Sequence, residues 1–89
     1  MAIPIEIKNF VEHQIEMMIS QTQTYLPFIK VAFPSSKNVA DATFNLIAGY
    51  ALSVLMNQYA MRVQSPTKNE FEEFGNIVSK YRERIEKLF

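Results

Sequence analysis

His13, the single histidine of the chain, lies beside Glu12 and one helical turn before Glu16, so an imidazole and a carboxylate are within reach of a shared metal ion. Two ligands do not make a site. The order is also the reverse of the Glu-x-x-His pairs that build di-iron centres in helical bundles, and no second histidine completes one. No metal and no other cofactor is expected. Nucleophilic catalysis lacks its parts as well: cysteine is absent, and nothing in the pattern brings a serine against His13 or a carboxylate that would activate it. Gly49 and Gly75 are isolated and neither opens a helix after a strand, which removes a glycine-rich phosphate loop. The chain does not read as an enzyme.

Lys80, Arg84 and Lys87 fall on one side of a C-terminal helix and are the one argument for a nucleic-acid partner. Glu73 and Glu83 share that side, and nine basic residues balance nine acidic ones to a formal charge of zero, so a solvated mixed-charge face is the expectation. The five methionines, among them Met17, Met18, Met56 and Met61, fill gaps in a core or furnish an adaptable apolar surface. Tyr25, Phe28 and Phe33 would be natural walls of an apolar groove, with the segment around them as its lid. An apolar small molecule or lipid in the bundle interior is therefore the alternative reading of function, and a membrane-surface or immunity-type protein the third.

The elements that carry these residues are helical. Alternating β-branched runs are missing, and the two glycines fall inside helical patterns rather than at turns. The first helix is expected from near Pro4 to no further than Leu26, ahead of Pro27. Its core stripe is Ile7, Val11, Ile15, Met18 and Thr22, flanked by Phe10 and Ile19, with Glu6, Asn9, Glu12, His13, Glu16, Ser20 and Gln23 on the wet side. Residues 28–33 form a short apolar plug over one end of the core, either a helical turn or an extended stretch. Ser36 or Asn38 caps the second helix, expected over 39–63. The third starts at Ser65 with Pro66, or at Thr67 with Glu70 as a capping box, and carries the seam Phe71, Phe74, Val78, Tyr81, Ile85 and Leu88 to the end. The fold class is all-α: a small antiparallel bundle of three long helices, with a short hydrophobic linker element between the first two, and residues 1–89 as one domain.

The second helix holds the most information. Residues 42–61 contain no charge, and apolar side chains point to all its sides. A helix of that kind is buried in protein or in lipid. Its length suits a bilayer span, but Asn45, Asn57, Gln58, Ser53 and Thr43 interrupt it, and a span would leave the flanking amphipathic helices without partners. A span is disfavoured. Phe44, Leu52, Leu55 and Tyr59 form a side that the two neighbours cover, whereas Leu46, Tyr50, Val54 and Met61 occupy much of the other, and between them runs a small-residue strip of Ala42, Gly49, Ser53 and Ala60. Either the first helix and the plug cover that strip, or a second copy of the chain does. The expected interface set is thus Ala42, Leu46, Gly49, Tyr50, Ser53, Val54, Ala60 and Met61. The expected function is a protein–protein interaction module, self-associating as a homodimer and acting as an adaptor or subunit. The N-terminus lacks the basic and apolar regions of a signal peptide, which makes the cytoplasm the expected compartment.

Overall fold

Pro4 sets the start of the first helix: its carbonyl accepts the N–H of Lys8 at 3.0 Å, and α1 runs Ile5–Thr24. The computed structural model describes residues 2–89, and among them no strand occurs. Ile3, Ile7, Val11, Ile15 and Ile19 are buried on one four-residue row, continued by Thr22. The expected stripe had Met18 in place of Ile19, but Met18 is half-buried and Phe10 is exposed. The row keeps its four-residue step because α1 packs along it.

After a break at Tyr25, α2 covers Leu26–Ala32. The plug is helical, yet it buries no residue, and Phe28 and Val31 are among the most exposed large side chains of the chain, at 66% and 74%. It lies against the bundle through the half-buried Leu26, Ile29 and Phe33, and does not seal one end of the core as expected. Asn38 caps α3, Val39–Met61, by accepting the N–H of Asp41 at 2.9 Å. At the other end, Val63 N–H bonds to Ala60 O and Gln64 N–H to Tyr59 O, both at 2.9 Å, which is the Schellman arrangement with Val63 in the left-handed region at φ 55°.

The buried row of α3 is Thr43, Ile47, Ala51, Leu55 and Tyr59, again in steps of four. Facing rows of this spacing on α1 and α3 interdigitate ridge into groove. The small residue that lets α1 approach is therefore Ala51, fully buried, and not the strip from Ala42 to Ala60. The expected core side is corrected accordingly: Leu55 and Tyr59 belong to it, while Phe44 and Leu52 are half-buried at its margin.

Thr67 is the cap of α4, Lys68–Ser79, and the capping box with Glu70 is complete: Thr67 N–H to Glu70 Oε1 at 2.8 Å and Glu70 N–H to Thr67 Oγ1 at 3.2 Å. The long third helix of the sequence reading is interrupted. Lys80 and Tyr81 form i→i+3 bonds to Ile77 and Val78, and α5 then runs Arg82–Glu86. Ser79 bonds back to the Gly75 carbonyl at 2.7 Å just before the break, a contact that bends helices. Phe74, Ile77 and Ile85 are the buried apolar residues here, whereas Phe71 lies outside.

Contacts between side chains fix the directions of the helices. Glu6 meets Arg62, and Gln14 meets Tyr50, so α1 and α3 run in opposite senses. Tyr59 meets Glu70, and Asp41 meets Arg82, which makes α4 with α5 antiparallel to α3.

Candidate functional site

Several of the charged side chains that could have carried chemistry join one helix to another. Glu16 receives a two-pronged hydrogen bond from Arg84, both contacts at 2.7 Å, and this holds its carboxyl below the usual glutamate range. Lys80 lies 3.7 Å from Glu12 and Lys87 lies 3.2 Å from Glu83, so each of the three cations considered for phosphate faces a carboxylate of this chain. Arg82 bridges Asp41 and Glu86 while stacking 4.7 Å from the centroid of the Phe44 ring. The side of α1 expected to be wet is thus partly a clasp onto α4 and α5. His13 is exposed, and among the described residues no group of three or more metal-ligating side chains comes together.

Tyr59 and Glu70 form a buried pair that the sequence reading did not identify. The Tyr59 hydroxyl donates a hydrogen bond to Glu70 Oε2. Burial pushes the Tyr59 hydroxyl far above its usual range, so it keeps its proton, and the bond it donates, with the Thr67 N–H, holds Glu70 low. Glu73 ties down the N-terminal segment, accepting the N–H groups of Ala2 and Ile3 at 2.7 and 3.1 Å, and the Ile3 bond is the main cause of its lowered pKa. These contacts join segments of the fold, and one surface lies outside them.

That surface is the outer side of α3. Asn45, Leu46, Gly49, Tyr50, Ser53, Met56, Asn57, Ala60 and Met61 are all exposed along it. Six of the eight expected interface residues therefore stand together on one face, while Ala42 and Val54 are half-buried at its edges. Gly49 is open on its outer side: a Cβ there would meet nothing within 4 Å. The sequence reading names Met56 as one of the methionines suited to an adaptable surface but leaves it out of the interface set, together with the α1 residues that widen the face. Gln14 accepts a hydrogen bond from the Tyr50 hydroxyl at 3.0 Å, which brings that edge of α1 alongside, and Phe10 and Met17 lie one turn either side of Gln14. Both are exposed, at 41% and 43%. An uncharged helical strip of apolar, small and amide side chains, bordered by two aromatics and flexible thioethers, can bind another helix.

A cleft of about 410 Å³ lies at the foot of α2, lined by Leu26, Pro27, Lys30, Leu88 and Phe89. It is outside the bundle interior, whose axis is filled by Ile7, Val11, Ile15, Leu55 and Ile85. By length and composition α3 would also reach across a membrane. No protein-family model, no curated protein and no solved structure matches this chain.

Proposed function

We propose that this chain is a small helical interaction module that self-associates through the outer face of α3 and serves as an adaptor or subunit of a larger assembly. One observation carries the reading: the helix whose inner row centres the core leaves its outer row, charge-free from residue 42 to residue 61, open to solvent along its length. Exposed apolar surface of this extent on a small chain marks an interaction site, and covering it recovers burial that a domain of this size cannot achieve alone. Sedimentation velocity across the micromolar range is expected to give a concentration-dependent dimer. A monomer at every concentration would overturn the reading.

The cleft at the foot of α2 supports a second reading. Its volume is that of a small-molecule site, its walls are apolar, and Lys30 brings one cation. On this reading an apolar ligand with an anionic head binds there and α2 acts as its gate. Added fatty acid then raises the melting temperature by several degrees through preferential binding to the folded state, and leaves it unchanged otherwise.

A further inference from the structure

Six of the nine side chains that α3 fully exposes repeat in reverse order about Ala51; Tyr50 and Met61, toward the α1 border, stand outside the series. Six residues before and after it stand Asn45 and Asn57; five before and after, Leu46 and Met56; two before and after, Gly49 and Ser53. Ala42 and Ala60 close the series at nine. Helical periodicity makes the exposed positions symmetric about a central buried residue, but it does not make amide answer amide, flexible apolar answer flexible apolar, or tiny answer tiny.

From this we infer that the partner on α3 is a second copy of the chain, laid antiparallel about a two-fold axis level with Ala51; the inference rests on the self-association reading above. In an antiparallel pair each residue lies level with the one equally far from the axis on the other copy, so a matched reverse order is what such a pair needs. A parallel pair sets each residue beside its own counterpart whatever the sequence, and a foreign helix needs no symmetry at all.

The geometry agrees at the four matched levels of the seam. Gly49 and Ser53 of opposite copies meet at the middle, where small side chains let the two backbones come close, and Ala42 meets Ala60 at either end. Leu46 and Met56 fall on opposite edges of the seam and straddle it without colliding. Asn45 and Asn57 also come level, so the amides that make α3 a poor membrane span gain a place in the pair. The α1 border obeys the same symmetry: with Gln14 bound at Tyr50, Phe10 of one copy reaches the level of Met17 of the other. The antiparallel sense also sets the positive end of one helix dipole against the negative end of the other.

The area is sufficient. Leu46, Tyr50, Met56, Met61, Phe10 and Met17 are each between 41% and 78% exposed. For side chains of about 150–250 Å² that leaves roughly 450–750 Å² to cover, of the same order as the ~800 Å² that each partner contributes to a standard interface.

The chain has no cysteine, so single thiols report the register cleanly. Ala42→Cys and Ala60→Cys variants, each small for small at the rim of the face, are unfolded and refolded together and treated with a short thiol-specific cross-linker. The mixture is expected to give a product containing both variants, while neither variant alone cross-links, because like residues then lie about 27 Å apart along the seam at 1.5 Å per residue. A dimer in which each variant links to itself would overturn the antiparallel register and leave self-association standing. A dimer that links in neither experiment would place the interface elsewhere and overturn the inference. A monomer in sedimentation would remove the reading on which it rests.

Discussion

Val63 sits at φ 55° where a helix end of this type ordinarily has glycine. A β-branched side chain in the left-handed region carries steric strain of about 1–3 kcal/mol. Nothing packs on it in return, since it is 93% exposed. Val63→Gly removes the strain and adds backbone freedom to the unfolded chain, which offsets about 0.5–1 kcal/mol of the gain. The variant is therefore expected to be more stable by about 1 kcal/mol, read as a higher urea midpoint with unchanged slope; a lower midpoint would show that the valine makes a contact worth more than its strain. Thr43 is another residue whose chemistry and surroundings disagree. It is almost fully buried, and its hydroxyl has no hydrogen-bond partner among the described residues. Neither feature was legible in the sequence, because one depends on where α3 stops to the residue and the other on which side of α3 turns inward.

The helices themselves were legible wherever a stop or cap is a local event. Pro4, Asn38 and the Thr67–Glu70 box each act through backbone groups one turn away, so the residue types narrow the starts of α1, α3 and α4 to one or two candidates each, of which the structure takes Asn38 over Ser36 and Thr67 over Ser65. The rotation of α3 about its own axis was not local. Phe44 and Leu52 are larger than Ala51, and hydrophobicity alone turns them inward; only the approach of α1 along a four-residue row selects the face with the small residue at its centre. The break at Lys80 and Tyr81 was hidden by a heptad seam that continues past it in the sequence. Most of the outer face was visible, because a run without charge declares itself, whereas the contribution of Phe10 and Met17 depends on α1 lying beside Tyr50. Gly49 separates helix propensity from interface at this scale. Gly49→Leu enters open space and replaces a poor helix former with a good one, so it is expected to stabilise the fold by up to about 1 kcal/mol. The same leucine fills the narrowest part of the proposed seam and is expected to weaken dimerisation at least a hundredfold in sedimentation equilibrium. A variant that dimerises as well as the parent would exclude this face.

Across the whole molecule, the carboxylates that join distant segments set the response to acid. Glu16, Glu70 and Glu73 all titrate below their ordinary value of 4.5 in the folded state, held there first by Arg84, the Tyr59 hydroxyl and the Ile3 N–H respectively. The unfolded chain therefore takes up protons first as pH falls, so their stabilisation is complete above about pH 4.5 and drains away below it. Tyr59 acts in the opposite direction: its raised pKa means that the unfolded chain loses this proton first, and stability declines as pH rises past its ordinary value of 10.0. Urea midpoints followed by circular dichroism are expected to form a plateau through neutral pH with a fall on both sides, and a midpoint that does not move between about pH 6 and pH 3 would contradict the assignment.

The short helix α2 has no fully buried residue, and that makes residues 25–38 a tether more than a wall. Lys30 and Lys37 lie exposed within this stretch, open to trypsin, while α1 is gripped by Ile7, Val11 and Ile15 in the core and by Arg84 through Glu16. A chain cut there is expected to remain one particle, α1 staying seated on the other helices as a separate peptide, and native mass spectrometry after limited digestion would show the two pieces at their combined mass. Covalent continuity between α1 and α3 would then be a convenience of synthesis, and the two parts could be made apart and brought together as a complementing pair.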